Sequence, residues 1–262
     1  MEFLLIYLVT GALAGTLAGL LGVGGGLVIV PALVFIFHAQ GFNEALLVHM
    51  AVGTSLATIV LTSISSVRAH HLHGAVRWPV FWRLTPGIVV GSLLGAVIAD
   101  WLPADVLRRV FAVFVLLVAA QMGLGAKPAP HRELPGTLAS SAVGIVIGAV
   151  SAVVGIGGGS LAVPFLVWCN VAMRNAVAIS AACGLPIAIA GSAGFLVTGL
   201  NEPGLPAWST GYLYWPAVAG IAVASVLFAP LGARWAHQIP AQGLKRFFAL
   251  FLAVVGLRML LG

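Results

Sequence analysis

The stretch Gly22-Val23-Gly24-Gly25-Gly26 interrupts a long apolar run over residues 2–38. A second version, Gly155-Ile156-Gly157-Gly158-Gly159, interrupts the apolar run over residues 136–170. Each run is too long for one membrane helix, which needs about 20 residues, and too short for two. Because glycine is poor in helix interiors, both runs are predicted to fold as a helix, a glycine break and a short second helix.

The composition of the chain excludes the soluble classes of protein. Of its 262 residues, 61% are hydrophobic and 7% are charged, whereas soluble domains carry about 25% charged residues. So few charges cannot form a solvated shell, which excludes a soluble enzyme, a nucleic-acid binder and a disordered chain. Six further apolar runs suit one membrane crossing each: 44–67, 78–100, 106–125, 176–200, 211–233 and 244–262. The chain is predicted to be an all-α polytopic membrane protein.

The two glycine stretches belong to an internal repeat whose matches keep their order along the chain. The further matches are Pro31 with Pro164, Trp78-Pro79 with Trp215-Pro216, Pro103 with Pro240, and Leu107-Arg108-Arg109-Val110-Phe111-Ala112 with Leu244-Lys245-Arg246-Phe247-Phe248-Ala249. We therefore predict two homologous membrane repeats, residues 1–125 and 135–262. A polar cytoplasmic linker over residues 126–134 joins them.

The basic residues favour one of two membrane topologies. If each broken run crosses the membrane once, each half has four crossings, eight in total, and the 12 Lys and Arg residues divide equally between the two sides. If each broken run is a re-entrant hairpin, only Arg108, Arg109 and Arg258 lie on the outer side. The second distribution is the cytoplasmic bias that insertion favours. We therefore predict two inverted repeats, each a glycine-broken re-entrant helical hairpin plus three transmembrane helices; the eight-crossing arrangement is the alternative.

A glycine break inside a membrane leaves backbone N–H groups without helical partners, and lipid offers them no acceptor. The helix after each break directs the positive end of its dipole to the same place. Such N–H groups at a helix N-terminus bind anions, and transporters built from repeats hold substrate near the midplane. The substrate-binding residues predicted in the breaks are Gly24, Gly25, Gly26, Gly157, Gly158, Gly159 and Ser160. The alternative role for these glycines is close helix packing.

Hydroxyl side chains follow the first break along the chain. Helical spacing places one set on a single helix face: Thr54, Thr58, Thr62 and Ser65. The hydroxyl residues predicted to bind substrate are Thr54, Ser55, Ser65 and, in the second half, Ser192. The alternative is that these hydroxyls bond back to carbonyls of their own helix.

Acidic residues occur only at segment ends or in loops: Glu2, Glu44, Asp100, Asp105, Glu133 and Glu202. A transporter that binds protons or sodium at a carboxylate in mid-membrane is therefore disfavoured. His49 lies beside the hydroxyl-rich stretch and is a candidate proton relay. We interpret His70, His71 and His73 as a solvated basic loop rather than a metal site. We predict no catalytic residue, metal ligand or cofactor, and no enzyme activity.

Four stretches of this chain resemble the sulfite exporter TauE/SafE family, also described as the toluene sulfonate uptake permease family. They are residues 19–31, 51–56, 154–164 and 244–249. The resemblance covers nearly the whole chain and implies a bacterial inner-membrane carrier of sulfur-containing anions such as sulfite and organosulfonates. The family often repeats a Gly-Thr-Ser-like stretch in the second half, where this chain has Ser180-Ala181-Ala182-Cys183-Gly184.

We therefore expect a secondary transporter for a small sulfur-containing anion, working in the direction of export by alternating access around a midplane site. An anion channel, or a carrier for another small organic anion, is the alternative. The expected partners are that anion, membrane lipid and protons as the candidate coupling ion, without nucleic acid. The expected location is the bacterial inner (cytoplasmic) membrane, as a multi-pass protein with both termini periplasmic.

Overall fold

A computed structural model of the chain describes residues 2–21, 25–124, 133–235 and 241–261. These residues form ten helices and one short β-hairpin. The helices are α1 (Glu2–Leu21), α2 (Gly26–Ala39), α3 (Glu44–Leu72), α4 (Trp78–Trp101), α5 (Ala104–Gly123), α6 (Thr137–Val154), α7 (Gly159–Trp168), α8 (Met173–Thr198), α9 (Trp215–Trp235) and α10 (Ala241–Leu261). The strands β1 (Ser209–Thr210) and β2 (Leu213–Tyr214) pair antiparallel between α8 and α9. The all-helical fold predicted for a polytopic membrane protein is confirmed.

Both apolar runs fold as a helix, a break and a second helix, as predicted. At the second break, Gly155 ends α6 in the left-handed conformation with φ of 76°, and Gly158 precedes α7 with φ of 75°. Residues with a side chain rarely adopt this backbone conformation, so both positions require glycine. Gly22 and Gly24 of the first break lie outside the described residues.

The chain turns back at each break, so that each pair of helices forms a hairpin. In the first pair, the Tyr7 hydroxyl near the start of α1 donates a 3.0 Å hydrogen bond to Gln40 Oε1 at the end of α2. In the second pair, Ser141 at the start of α6 donates to the backbone oxygen of Arg83, at 2.8 Å. Arg174, which follows α7, donates to the backbone oxygen of His73, at 2.9 Å. Both ends of the second hairpin therefore lie near the α3–α4 connection.

Two pairs of helices that correspond in the predicted repeats, α3 with α8 and α5 with α10, run antiparallel to each other. The contacting positions between α3 and α8 and between α5 and α10 are Gly53 with Phe195, Ser63 with Gly184, Gly123 with Ala249, and Leu116 with Gly256. From one contact to the next, the residue number increases along one helix and decreases along the other. Inverted halves require this geometry, whereas two parallel halves would place these helices parallel. The inverted orientation of the repeats across a membrane stays a prediction.

Glycines let α4 and α6 approach closely over their whole length. A methyl group added at Gly87 or Gly91 would overlap the backbone of Ser141 or Ile145. At Gly95 it would lie 2.5 Å from the carbonyl oxygen of Ala149. Close helix packing is therefore the role of this glycine stripe on α4, and Gly26 of the first glycine stretch is also closely packed.

Five described helices are long and apolar enough to cross a membrane: α3, α4, α5, α6 and α8. Four of these were predicted as crossings, whereas α6 was predicted as an arm of a re-entrant hairpin. Length and apolarity alone do not separate a crossing from an arm, so the predicted number of crossings is untested. Residues 126–132 of the predicted linker lie outside the described residues, and the division into two repeats also stays a prediction.

Candidate functional site

The two glycine breaks meet in the interior of the helix bundle. A methyl group added at Gly26 would lie 2.5 Å from the carbonyl oxygen of Gly155 and 2.9 Å from the Cα atom of Ile156. All three residues are buried. The N-terminus of α2, which begins with Gly26 of the first glycine stretch, therefore contacts the residues that connect α6 to α7.

The second break presents four backbone N–H groups that donate no hydrogen bond within the described residues. They belong to Gly157, Gly158, Gly159 and Ser160. The carbonyl of Gly158 accepts hydrogen bonds from Leu161 and Ala162, which begins the helical bonding of α7. The free N–H groups therefore lie at the positive end of a helix of ten residues. This arrangement suits an anion.

Unpartnered hydroxyl groups surround the same break. The Oγ atoms of Ser151, Ser160 and Ser180 are buried and have no hydrogen-bond partner among the described residues. Ser151 Oγ would lie 3.6 Å from a methyl group at Gly158. Ser180 shares a face of α8 with Gly184 and Ile187, which contact Gly157 and Gly158. A buried polar group without a partner costs about 1–3 kcal/mol, so these hydroxyls fit a ligand that supplies acceptors.

Thr54 and Ser55 join the break and the β-hairpin to α3. Ser55 Oγ donates a 2.9 Å hydrogen bond to the carbonyl oxygen of Gly155. Thr54 Oγ1 accepts one of 3.1 Å from the N–H of Tyr214. Both side chains are fully buried. Their hydroxyl groups therefore hold the surrounding structure in place, and the predicted role of Thr54 and Ser55 in binding substrate stays a prediction.

Two more hydroxyls of the predicted face of α3, and the hydroxyl of Ser192 on α8, bond to carbonyl oxygens of their own helices. Thr58 Oγ1 donates to the carbonyl oxygen of Ser55 at 2.6 Å, and Thr62 Oγ1 to that of Ile59 at 3.2 Å. Ser192 Oγ donates to the carbonyl oxygen of Ile189 at 3.3 Å. For these three residues the alternative of back-bonding holds.

The structure places Ser65 on an exposed part of α3. A second hydroxyl of α3, that of Ser63, lies next to Gly184 of α8, because its Oγ would lie 3.2 Å from a methyl group at Gly184. Gly184 in turn faces the carbonyl oxygen of Gly157. Ser63, Ser151 and Ser180 were missed by sequence reasoning. A signal that could have found Ser151 is its position one helical turn before Gly155.

A cavity of about 810 Å³ lies away from the breaks, where α2, α4 and α10 end and α3 and α5 begin. We call this the Asp100 end of the bundle. Its charged and titratable lining residues are His38, Glu44, His49, Asp100, Asp105, Arg108, Glu202, Tyr212 and Arg258. Within the described part of the chain, no group of three or more His, Cys, Asp or Glu residues could hold a metal ion.

The model of the sulfite exporter TauE/SafE family matches residues 7–259 of this chain. The chain belongs to this family. A probable membrane transporter protein of Haemophilus influenzae is 41% identical over 99% of this chain and 98% of its own length. A probable membrane transporter protein of Methanocaldococcus jannaschii is 28% identical over 99% of this chain and 97% of its own. YdhB of Bacillus subtilis, also a probable membrane transporter protein, is 25% identical over 95% of this chain and 96% of its own.

No solved structure matches this chain significantly. The family resemblance read from the sequence is confirmed, and the chain is a multi-pass membrane transporter of the TauE/SafE type. The relatives' names state transport and give no substrate.

Proposed function

We propose that this protein is a secondary transporter that exports a small sulfur-containing anion, sulfite or an organosulfonate, across the bacterial inner membrane. The anion binds where the two glycine breaks meet, and the halves move about this site to alternate access. The observation that carries the proposal is the set of four free N–H groups at Gly157, Gly158, Gly159 and Ser160.

The chemistry of the second break fits an oxyanion better than a cation or a neutral solute. Sulfite and sulfonate groups present several acceptor oxygens and a negative charge. The N–H groups at the start of α7 and the hydroxyls of Ser151, Ser160 and Ser180 can all donate. No carboxylate takes part in this arrangement within the described residues. The protein therefore needs no bound cation to hold the anion.

The contact between the breaks supports alternating access. Gly26 and Gly155 belong to different halves, yet they pack against each other. The antiparallel helices α3 and α8 flank the second break, where Ser55 of α3 binds Gly155 and Gly184 of α8 contacts Gly157. Relative movement of the halves would open the break region to one side at a time.

Flux measurements in proteoliposomes test the proposal. Purified protein is reconstituted and uptake of sulfite, methanesulfonate, sulfate and chloride is compared with that of empty vesicles. Saturable flux of a sulfur-containing anion with counterflow supports a carrier, whereas non-saturable flux without counterflow supports the alternative of an anion channel. Absence of flux for both sulfite and methanesulfonate rejects the proposed substrate class.

The proposal also fixes a location and an orientation. Both termini and the Asp100 end face the periplasm, and Arg68, Arg77, Arg83 and Arg174 face the cytoplasm, as the distribution of basic residues favours. The proton is the proposed coupling ion.

A further inference from the structure

His49 is a buried titratable group that the anion site at the second break does not use. Its side chain is 3% exposed. Its Nε2 lies 2.9 Å from the carbonyl oxygen of Ala99 and 3.1 Å from that of Leu102. Carbonyl oxygens only accept hydrogen bonds, so Nε2 carries a proton. Nδ1 is buried and has no partner among the described residues, which leaves its lone pair free for a second proton.

Tyr212 connects His49 to a carboxylate. The rings of His49 and Tyr212 stack with centroids 5.2 Å apart, and the Tyr212 hydroxyl donates a 2.9 Å hydrogen bond to Asp100 Oδ1. Burial raises the pKa of the Tyr212 phenol above its ordinary value, and the hydrogen bond and the charges of Asp100 and Glu202 raise it further. The phenol therefore stays a donor at physiological pH, and its hydrogen bond holds the Asp100 side chain near the ring that stacks on His49.

We infer that His49, Asp100 and Tyr212 form a proton-binding site at the Asp100 end, and that a proton held at Nδ1 of His49 admits the anion to the cavity. The proton comes from a hydronium ion of the aqueous phase on the Asp100 side, adds to the Nδ1 lone pair and leaves water behind. The role given to the anion rests on the proposed function, whereas the binding of the proton does not.

The charges around His49 explain why a proton would matter to an anion. The groups that face the cavity from the packed elements are His38, Glu44, Asp100, Asp105, Arg108, Glu202 and Arg258. Glu44 has a partner in His38 at 2.5 Å. Neither Asp100 nor Glu202 has a basic partner within 4.0 Å among the described residues. With His49 neutral, these carboxylates repel an anion; with His49 protonated, the charge of Asp100 is balanced.

Arg108 supplies the attraction that remains once His49 is protonated. No described carboxylate lies within 4.0 Å of its guanidinium group, and its buried Nε has no hydrogen-bond partner in the described part of the chain. Arg258, the other arginine of the cavity, lies over the ring of Phe35 at 5.1 Å. A sulfonate that enters the cavity therefore meets an unpaired guanidinium.

A short part of α3 links the proton site to the second break. His49 and Ser55 are separated by less than two helical turns, about 9 Å along the axis. Between them, Gly53 packs against the carbonyl oxygen of Tyr212 and Thr54 accepts from the N–H of Tyr214. The β-hairpin that carries Tyr212 and the break that carries Gly155 are thus fastened to neighbouring residues of one helix.

Histidine ¹⁵N NMR of the full-length protein in lipid nanodiscs, without any anion, tests the proton site directly. The signals of His49 are identified by their loss in His49→Gln. We expect its Nδ1 signal to change from that of a bare nitrogen to that of an N–H group when the solution is acidified. Asp100→Asn should weaken this N–H signal because it removes the compensating charge. An Nδ1 that stays bare throughout, or an N–H signal of equal strength in Asp100→Asn, would overturn the inference.

Methanesulfonate flux in proteoliposomes tests the role of the proton, because this anion keeps its charge throughout the pH range. Lowering the pH on the Asp100 side should raise the flux, with a slope of about tenfold per pH unit at the alkaline end, as for a single protonation. His49→Gln should abolish the dependence, whereas His73→Gln, which replaces an exposed histidine at the other end of α3, should keep it. Flux that does not depend on pH in the unaltered protein would overturn the inference and the proposed proton coupling, and would leave the proposed transport of the anion standing. A titrating His49 without flux of methanesulfonate or sulfite would reject the proposed function and leave the proton site supported.

Discussion

The hydroxyl of Ser55 donates a hydrogen bond of 2.9 Å to the carbonyl oxygen of Gly155. This bond joins α3 to the glycine break between α6 and α7, at a place where both residues are buried. It fixes the carbonyl on one side of the break while the N–H groups that follow remain free. We expect the bond to hold the break in shape for the anion.

Ser55→Ala should destabilise the protein by about 1–3 kcal/mol, since it leaves a buried carbonyl oxygen without a donor. The melting temperature in detergent and the flux of sulfite should both fall. Ser66→Ala, on the same helix but half-buried and without a described hydrogen bond, should change the free energy of unfolding by less than about 0.5 kcal/mol. Equal stability of the two variants would show that the Ser55 bond does not hold the break.

Removal of the hydroxyl of Ser151 or of Ser180, in Ser151→Ala or Ser180→Ala, should weaken binding of the anion without lowering the stability of the protein. Both hydroxyls are buried without a described partner, so their removal should leave the melting temperature unchanged or slightly higher. Each should raise the KM for the transported anion by roughly tenfold, which corresponds to one hydrogen bond of about 1.4 kcal/mol. Thr85→Ala, which removes a hydroxyl bonded within α4, is the matched control and should leave KM unchanged. A KM unchanged in both serine variants would place the anion elsewhere.

Much of the fold could be predicted from the sequence, because glycine stretches, apolar runs and basic residues act locally. The break between α6 and α7 needs glycine at positions of positive φ, and the glycines that meet this need can be recognised in the sequence alone. Which hydroxyls reach the break is not visible in this way. Helical spacing favoured Ser65, but the antiparallel crossing of α3 and α8 brings Ser63 to Gly184 instead.

The cluster at the Asp100 end could not be predicted either. In the sequence, Asp100 stands at the end of an apolar run, which argues against a role inside the membrane, and no pattern indicates a partner for His49. The β-hairpin between α8 and α9 brings Tyr212, which is distant in sequence, onto both residues. Such a contact depends on how the two repeats pack, and no local pattern encodes it.

Gly87→Ala should prevent α4 and α6 from packing. The added methyl group would overlap the carbonyl oxygen of Ser141, and the two backbones would have to separate. Overpacking of this kind costs about 1–3 kcal/mol or more. The amount of folded Gly87→Ala protein in fluorescence-detected size-exclusion chromatography should therefore be lower than that of the unaltered protein. At Gly123 the methyl group would lie 3.8 Å from Ala249, so Gly123→Ala should fold normally. Normal folding of Gly87→Ala would contradict the close packing of these helices.

Cysteine labelling should distinguish inverted repeats from eight crossings. With Cys169 and Cys183 replaced by alanine, single cysteines are introduced as Leu72→Cys and Met173→Cys, both at exposed positions. Inverted repeats place both positions in the cytoplasm, so an impermeant maleimide should label them only after permeabilisation. Eight crossings place them on opposite sides. Trp208→Cys, exposed in the loop before β1, adds a third position: inverted repeats place it opposite Leu72, so that it is labelled in intact cells, whereas eight crossings place it on the same side as Leu72.

The most direct test of the anion site is equilibrium binding of sulfite to Gly157→Ala. The new methyl group would lie 3.5 Å from Ile59 Cγ2 and 3.9 Å from the Cα atom of Gly184, which is ordinary contact, so the variant should fold with an unchanged melting temperature. It should nevertheless cover the free N–H groups and weaken binding by tenfold or more, about 1.4 kcal/mol, while Gly123→Ala binds as the unaltered protein does. Unaltered binding by a folded Gly157→Ala would contradict the site.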